Sequence, residues 1–379
     1  MATIELINIF KALGKHGRSY PLASKSAKGT GPAITDSNRE YPFSIMDLNL
    51  FIPDGKTMVL LGPSGCGKTT ILRLIAGLAK PDSGEIRYNG TNVEKISPRE
   101  RKIGMVFQNY ALYPHFTSKK NILSYFLFQK KTPEFDELAK AKFQKTSELM
   151  GVDIAYLLDK KPSHLSAGEK QRVALGRCIT RDPAVFLLDE PFSNLDQKLR
   201  EKYRVRLKKL LNHFAITALY VTHDQREAII LADLIAIMNI GTVEQIGTYN
   251  EIYMSPNSIF VAEFLNADPD IPAINLIDGT LISEELRSSI VGVRPEDVMI
   301  SERPQDISVR GYISHITNIP GKGATIFTAE AGERQVFGRI PVTKDLSMGT
   351  DIWLTFNKYH VFDKETRMRV LSSDAQFNR

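Results

Sequence analysis

Cysteine is nearly absent from this chain, with only Cys66 and Cys178 among 379 residues. Because Cys66 lies inside a glycine-rich loop, the sequence predicts neither a disulfide framework nor a zinc site, and a reducing compartment fits. Long apolar runs are also missing. No run approaches the roughly 18 residues that a membrane-spanning helix needs, and the first residues lack the pattern of a secretory signal. We therefore expect no membrane-spanning segment and no signal peptide.

Charge of neither sign dominates, since 49 Lys and Arg stand against 43 Asp and Glu, a formal net charge of +6. The basic residues are scattered in doublets and form no patch with interleaved aromatics, which predicts solvated surface and no nucleic-acid partner. Weak attraction to anionic lipid headgroups is the alternative. With 42% hydrophobic and 24% charged residues, the composition is globular, and the length indicates two or three domains.

The most informative stretch is a glycine-rich loop. Residues 57–61 predict a buried strand, residues 71–78 predict a helix, and the loop between them fits G-x-x-x-x-G-K-[ST]. The alternative, an ordinary glycine turn, is disfavoured by this strand–loop–helix context. Glycines allow backbone N–H groups to point at phosphate oxygens beside a helix N-terminus. The predicted nucleotide-binding residues are Gly62, Pro63, Ser64, Gly65, Cys66, Gly67, Lys68, Thr69 and Thr70.

Within this loop the residue types predict distinct tasks. Lys68 is expected to reach the β- and γ-phosphates, and the Thr69 hydroxyl is expected to bind Mg²⁺. The helix N-terminus is expected to lower the thiol pKa of Cys66.

Two further apolar runs end in polar residues. Residues 184–188 lead into Asp189 and Glu190, and residues 218–222 lead into His223. Buried carboxylates are costly unless they bind something, and the carboxyl ends of parallel strands face the ligand crevice. We expect Asp189 to hold Mg²⁺ through water, Glu190 to act on the attacking water, and His223 to sense the γ-phosphate. A helix N-cap and an ordinary turn histidine are the structural alternatives.

The rest of the chain divides by composition. Residues 15–40 are rich in Ser, Gly, Lys and Pro and predict an exposed loop, whereas residues 109–175 lose the strand signal and predict a helical subdomain. Short strands alternate with turn residues from 241 to the end. The sequence thus predicts an α/β domain at 1–240 and a small β-barrel or sandwich at 241–379.

With these motifs in place, the chain resembles the ATP-binding subunits of ABC transporters. It is most similar to those of prokaryotic carbohydrate importers of the maltose type, which carry a C-terminal β-domain. The resemblance covers nearly the whole chain. Besides the glycine loop, it is carried by residues 106–115, 165–172 (LSAGEKQR), 187–191 (LLDEP), 193–196 (SNLD), 221–224 (VTHD) and 291–297 (VGVRPED). It implies an α/β P-loop NTPase core of the RecA-like type with a helical insertion, followed by a barrel-like (OB-like) regulatory domain.

The resemblance also implies roles for single residues. Gln108 would contact Mg²⁺ or the water and link the site to the membrane subunits. Ser166 and Gly168 would bind the γ-phosphate of ATP held by the other protomer, and Asp196 would lie at the dimer seam. Glu190 would polarise the water, with His223 holding it in place.

Residues 166–169 support a dimer independently. Ser166 and Glu169 fit a capping box, so a helix N-terminus is available to an anion. The glycine loop already has its own helix, so this second helix end would bind a phosphate of the ATP held by another protomer. The two protomers would then form a head-to-tail dimer around two ATP molecules.

The family signature usually reads Leu-Ser-Gly-Gly-Gln, whereas Ala167 and Glu169 stand here at the third and fifth positions. Ala167 tolerates fewer backbone angles than Gly, and Glu169 is expected to bring negative charge near the phosphates.

Two more features concern the adenine of ATP, where the chain departs from the family pattern, and the apolar residues near Gln108. Family members stack adenine on an aromatic residue shortly after the first strand, where this chain has Leu13; Phe10, Tyr20 and Tyr41 are the candidate substitutes. Beside Gln108 lies an apolar cluster that predicts a groove for a helix of the membrane subunits, with packing inside the insertion as the alternative. Its members are Tyr110, Leu112, Tyr113 and Phe116.

The resemblance implies an ATPase, with ATP and Mg²⁺ as cofactors, that energises solute import at the cytoplasmic face of the membrane. Its partners would be membrane-spanning permease subunits, a second ATPase protomer, identical or not, and indirectly an extracytoplasmic solute-binding protein. Sugar, polyol or glycerol phosphate is the favoured cargo, and polyamine, iron or sulfate importers share most motifs. A soluble ABC ATPase is disfavoured by the single glycine loop and the lack of heptads, and a purely regulatory protein by the intact catalytic residues.

Overall fold

The computed structural model describes residues 2–13, 43–129, 132–150, 152–266, 271–319, 321, 323–341 and 346–372. The chain forms two compact units, Met1–Thr248 and Tyr249–Arg379. The exposed loop predicted at 15–40 lies outside the described residues, as do Tyr20 and Tyr41. Over the described part of the chain, no helix is long and apolar enough to cross a membrane.

The first unit contains ten strands and seven helices among the described residues. The strands are β1 (Ile4–Leu13), β2 (Phe43–Ile52), β3 (Thr57–Leu61), β4 (Ser83–Tyr88), β5 (Thr91–Asn92), β6 (Ile103–Val106), β7 (Val185–Asp189), β8 (Thr217–Thr222), β9 (Leu234–Asn239) and β10 (Thr242–Gly247). The helices are α1 (Lys68–Ala76), α2 (Ser118–Ile122), α3 (Ser124–Leu127), α4 (Pro133–Met150), α5 (Ala167–Thr180), α6 (Gln197–Phe214) and α7 (Gln225–Leu231). Short 3₁₀ turns occupy Val152–Leu157 and Pro162–His164.

The central sheet has the strand order β10-β9-β3-β8-β7-β6. All neighbours pair in parallel except β9 and β10, which form an antiparallel hairpin. Strands β3, β7 and β8 are buried along their whole length, as their continuous apolar runs predicted. Because β3, β8 and β7 are parallel neighbours, the residues that follow them meet at one edge of the sheet.

An antiparallel sheet of order β2-β1-β4-β5 shares a core with the central sheet. Ile4 and Ile45 of this second sheet pack in the same buried cluster as Leu60 of β3 and Leu72 of α1. This cluster fixes α1, and with it the glycine loop, between the two sheets.

The hairpin of β9 and β10 turns at Ile240 and Gly241, both with positive φ. A Cβ on Gly241 would lie 1.9 Å from the Ser44 carbonyl oxygen, so the turn requires glycine where it approaches β2. Strand β10 therefore belongs to the first compact unit, although composition placed residues 242–247 after the predicted boundary at 240/241.

A helical segment separates β6 from β7, and no described residue between them forms a strand. It contains α2 to α5, with α2 and α4 packed against α5. The predicted capping box at the start of α5 is confirmed: the Glu169 N–H donates to the Ser166 hydroxyl over 3.3 Å, and the Ser166 N–H donates to the Glu169 carboxylate over 2.7 Å.

The second unit is mainly β. Its elements are α8 (Tyr249–Met254), α9 (Ile259–Phe264), β11 (Asn275–Asp278), β12 (Ser289–Val293), β13 (Val298–Ser301), β14 (Ser308–Ile319), β15 (Ala324–Ala331), β16 (Arg334–Pro341), β17 (Asp351–Phe356), β18 (His360–Asp363) and β19 (Arg369–Ser372). Helices α8 and α9 are separate, because Pro256 between them cannot continue a helix.

Two antiparallel sheets, ordered β11-β12-β18-β19 and β13-β17-β14-β15-β16, contribute to one apolar core. The arginine of the VGVRPED stretch, Arg294, is buried and donates hydrogen bonds to the backbone carbonyls of Tyr253, Ala262 and Ala273. This motif therefore anchors α8 and α9 to the sheets. The predicted β-rich C-terminal part is confirmed as two antiparallel sheets that carry these two short helices.

Candidate nucleotide-binding site

The glycine loop follows β3 and leads into α1. Gly65 and Gly67 have φ of 85° and 107°, in the left-handed region that favours glycine. A Cβ on Gly62 would lie 2.5 Å from the carbonyl oxygen of Met238. No side chain caps α1, so the N–H groups of its first turn are open to an anion such as a phosphate.

Lys68 is almost completely buried and is held by the loop itself. Its ammonium donates to the carbonyl oxygens of Gly62 and Pro63, both over 2.8 Å, and lies 3.8 Å from the Cys66 sulfur. These acceptors are neutral, so the positive charge of Lys68 stays available to a phosphate group.

A second contact joins the loop to β7. The Thr69 hydroxyl donates to the Asp189 carboxylate over 2.9 Å, and Asp189 is only 7% exposed. Burial raises the pKa of Asp189, and the hydrogen bond from Thr69 partly offsets this effect. A carboxylate in such surroundings gains from a nearby cation.

Glu190 follows Asp189 and is in strained backbone, with φ of 42°. The Glu190 N–H donates to the Val221 carbonyl over 3.0 Å, and the Glu190 carbonyl accepts a hydrogen bond from the Ser193 hydroxyl over 3.0 Å. The Glu190 carboxylate lies 3.0 Å from His223 Nδ1 and 3.5 Å from the Gln108 amide nitrogen. The fold thus aims the carboxylate of Glu190 from the end of β7 toward the side chains that follow β8 and β6.

These groups border a cavity of about 360 Å³. Its lining consists of Ser64, Gly65, Gly67, Lys68, Thr69, Thr70, Gln108 and Glu190. Asp189 and His223 contact this lining through Thr69 and Glu190. The remaining loop residues, Gly62, Pro63 and Cys66, contact Lys68.

Three further predicted residues, Ser166, Gly168 and Asp196, are also absent from the lining of this cavity. Ser166 is the exposed N-cap of α5, and Asp196 is the N-cap of α6, accepting the Leu199 N–H over 2.9 Å. Gly168 is buried against Tyr203, whose ring a Cβ would approach to 3.0 Å, so glycine allows α5 and α6 to pack closely.

The prediction for the Cys66 thiol is wrong. Cys66 is 4% exposed, and burial raises its pKa, with the nearby Lys68 ammonium only partly opposing this shift. Desolvation of the thiolate outweighs the field of the helix N-terminus, because the sulfur faces inward under the loop.

The apolar cluster beside Gln108 divides into buried and exposed members. Tyr110 is 4% exposed and belongs to the core, whereas Tyr113 is 38% exposed, and Leu112 and Phe116 are partly buried. Tyr113 borders a second cavity, of about 590 Å³, together with Phe128. Phe128 is 59% exposed and was not singled out from the sequence, although it is an aromatic residue in the same helical segment.

Asn194 is another residue of the site that was not singled out from the sequence. Its side-chain amide donates to the Gln108 carbonyl over 3.1 Å, which fixes the Gln108 segment to the segment after Glu190. Its place in the 193–196 motif was the available signal. For the adenine-stacking residue, Phe10 lies in β1, and the side chain of Leu13 lies outside the described residues.

The site combines a glycine-rich phosphate-binding loop at the carboxyl edge of a parallel sheet with a Glu–His pair and a glutamine. This combination defines a P-loop nucleoside triphosphatase, here with a helical insertion. Comparison of the chain with known protein families identifies which group of P-loop proteins it is similar to. Residues 45–193 match the family model described as ABC transporter.

Known proteins agree with this match. The chain is 42% identical over 344 residues to the sn-glycerol-3-phosphate import ATP-binding protein UgpC of Bartonella bacilliformis, covering 86% of this chain and 95% of that protein. It is 44% identical over 286 residues to the UgpC of Psychromonas ingrahamii, covering 73% and 74%. A dimeric ATP-binding cassette bound to ADP and Pi is similar in structure, with 28% identity, a TM-score of 0.50 and coverage of 65% of this chain and 98% of that one.

The chain therefore belongs to the ATP-binding proteins of ABC transporters, in the carbohydrate-importer type with a C-terminal domain. It binds ATP and is an ATPase of that family.

Proposed function

We propose that this chain is the ATPase subunit that energises import of sn-glycerol-3-phosphate, or of a closely related sugar- or polyol-type solute, through separate permease subunits. The observation that carries the ATPase part is the Glu190 carboxylate, placed 3.0 Å from His223 at the mouth of the glycine-loop cavity. The solute is proposed from the names of the relatives, both of them glycerol-3-phosphate import proteins. Neither of these two relatives is named as a polyamine, iron or sulfate importer.

In the proposed reaction the loop binds the phosphates of ATP. The open N–H groups of α1 and the ammonium of Lys68 neutralise the β- and γ-phosphate oxygens. Glu190 polarises the attacking water and accepts its proton in the transition state, and His223 holds the carboxylate and the γ-phosphate in register. Gln108, whose amide nitrogen lies 3.5 Å from the Glu190 carboxylate, helps to orient the water.

The residues present fit a magnesium ion. Asp189 is a buried carboxylate that accepts a hydrogen bond from the neutral hydroxyl of Thr69. Among the described residues, no group of three or more His, Cys, Asp or Glu side chains could hold a metal, so phosphate and water oxygens would complete the ligand set. Thr69, Gln108 and Asp189 would hold Mg²⁺, which supplies positive charge to the transferring phosphoryl group when bound.

The active unit in this proposal is a pair of protomers. Ser166, Gly168 and Asp196 lie outside the cavity of their own chain, and the exposed N-terminus of α5 suits a phosphate that another protomer holds. The similar cassette structure is itself dimeric. The second protomer is a copy of this chain or a related subunit.

The permease subunits would dock at the cavity of about 590 Å³ that Tyr113 and Phe128 border. Exposed aromatic rings beside a polar site are unusual for a solvated loop and suit an inserted helix. The assembly would lie at the cytoplasmic face of the membrane, with a solute-binding protein on the other side. The second unit would serve as the regulatory domain.

Transport by the reconstituted complex tests this proposal. The chain is co-purified with its permease subunits, placed in proteoliposomes with MgATP on the ATPase side, and supplied with the solute-binding protein. We expect ATP-dependent uptake of labelled sn-glycerol-3-phosphate in excess of maltose or spermidine. ATP-dependent uptake of spermidine alone would contradict the proposed cargo, and an ATPase that never associates with a permease would contradict the transport role.

A further inference from the structure

The start of α5 carries a negative charge where the proposed function needs an attractive surface for phosphate. Glu169 lies in the first turn of α5, between the residues that would face the partner's ATP and the rest of the helix. A carboxylate there stabilises its own helix, but it lowers the positive potential that a bound anion would experience.

Glu169 is held back toward the N-cap by two hydrogen bonds. One carboxylate oxygen accepts the Ser166 N–H over 2.7 Å, and the other accepts the Tyr156 hydroxyl over 2.8 Å. The side chain is 16% exposed. The Ser166 N–H is the main cause that lowers the pKa of Glu169, so the carboxylate is ionised at neutral pH.

One cation lies beside this carboxylate, and a second contacts Tyr156. The Lys160 ammonium lies 3.9 Å from a Glu169 oxygen and 4.7 Å from the centre of the Tyr156 ring. The Arg172 guanidinium donates to the Tyr156 hydroxyl over 3.0 Å. Tyr156 therefore joins Glu169 to Arg172, while Lys160 packs over the ring of Tyr156 and beside the acid.

We propose that Tyr156 and Lys160 are positioning residues that turn the Glu169 carboxylate toward the N-cap and offset its charge, so that α5 still attracts the γ-phosphate of the partner's ATP. The inference rests on the proposed dimer. It explains how a chain with an acid in its signature segment keeps a phosphate-binding helix end.

The geometry assigns the two residues different tasks. Tyr156 supplies a hydrogen bond that fixes where the carboxylate points, and Tyr156→Phe removes the hydroxyl while keeping the ring. Lys160 supplies charge, and Lys160→Met keeps the apolar stem. The Lys160 backbone carbonyl accepts the Ser118 N–H over 2.8 Å, a contact that this substitution retains.

The test measures ATP-driven dimer formation of the full chain by light scattering, in a Glu190→Gln background that slows hydrolysis. We expect Lys160→Met to raise the ATP concentration for half-maximal dimerisation about threefold, the range of a partly exposed ion pair. Tyr156→Phe should act in the same direction, and Lys160→Arg should restore the original value. The Lys160→Met effect should shrink in high salt, because salt screens exposed charges.

The control for general charge loss is Lys145→Met, at an exposed lysine of α4, which should leave half-saturation unchanged. The decisive variant is Glu169→Gln, which removes the charge that Lys160 offsets. In that background, Lys160→Met should have no effect. A merely structural role of Lys160 would lower thermal stability equally in both backgrounds.

The inference and the dimer proposal fail on different results. An unchanged half-saturation in Lys160→Met, or an equal threefold rise with and without Glu169, overturns this inference and leaves the dimer proposal standing. If the Glu190→Gln protein never dimerises with ATP, the dimer proposal itself fails and the inference falls with it.

Discussion

Arg204 and Asp224 form a nearly buried ion pair that connects α6 to the segment carrying His223. The Arg204 guanidinium contacts the Asp224 carboxylate and lies 3.5 Å from Glu227, which is itself buried. Glu227 accepts the hydroxyls of Tyr220 and Thr222 over 2.6 and 2.8 Å. The backbone on both sides of His223 is thus fixed by a network that Arg204 completes.

We predict that Arg204→Met destabilises the first unit by about 3 kcal/mol, because it leaves the buried Glu227 carboxylate without the counter-charge of Arg204. Urea unfolding of the full chain measures the loss. The matched control is Lys202→Met at an exposed position of the same helix, which should cost less than about 0.5 kcal/mol. Equal stability of the two variants would show that the network contributes nothing.

The reactivity of Cys66 should follow its raised pKa. Because the thiolate is the reactive form, alkylation by iodoacetamide at pH 7 should be slower than that of a small free thiol. Its rate should still be rising above about pH 8.5, the ordinary thiol pKa. Mass-spectrometric labelling over time checks this against Cys178, whose pKa burial raises to about 11.

MgATP should slow the labelling of Cys66 further, since the loop around the sulfur would be bound to phosphate, and alkylation should inhibit the ATPase. Faster labelling than the free thiol at pH 7 would contradict the raised pKa. Full labelling without loss of activity, or without protection by MgATP, would contradict the nucleotide site.

The groove beside Gln108 gives a prediction about permease binding that can be tested separately from ATP hydrolysis. Tyr113→Ala combined with Phe128→Ala should weaken binding to the permease subunits at least about tenfold, as for aromatic residues at the centre of an interface. The isolated subunit should keep its basal ATPase and thermal stability, because both rings are exposed. Pull-down with the detergent-solubilised permease measures binding.

Tyr110→Ala serves as the contrast, since Tyr110 is buried and its truncation should lower stability by about 3 kcal/mol. Should the Tyr113 and Phe128 double variant lose stability in proportion to its loss of binding, these residues belong to the core and the docking proposal fails.

The elements of the site were predictable because their signals are local. The strand at 57–61 is buried along its whole length, and Gly65 and Gly67 after it have the positive φ that glycine favours. Glu190 and His223 were placed correctly at one edge, because parallel strands bring their carboxyl ends together.

Other features depend on contacts between distant parts of the chain. Tyr110 and Tyr113 are the same residue type three positions apart, and only the packing of the helical insertion decides which one is buried. Strand β10 resembles the β-rich C-terminal part in composition, yet it pairs with β9. Predicting the direction of the Cys66 pKa shift requires knowing how deeply the sulfur is buried, and no sequence pattern gives that burial.

The central claim is that Glu190 drives ATP hydrolysis at the glycine loop. The most direct test is the steady-state ATPase rate of Glu190→Gln, measured together with ATP binding and with Glu201→Gln, at an exposed glutamate of α6, as control. We predict a fall of at least about 100-fold in turnover for Glu190→Gln, the effect of losing a positioned base, with ATP binding intact and the control unchanged. Equal turnover in Glu190→Gln and the unsubstituted protein would contradict the account.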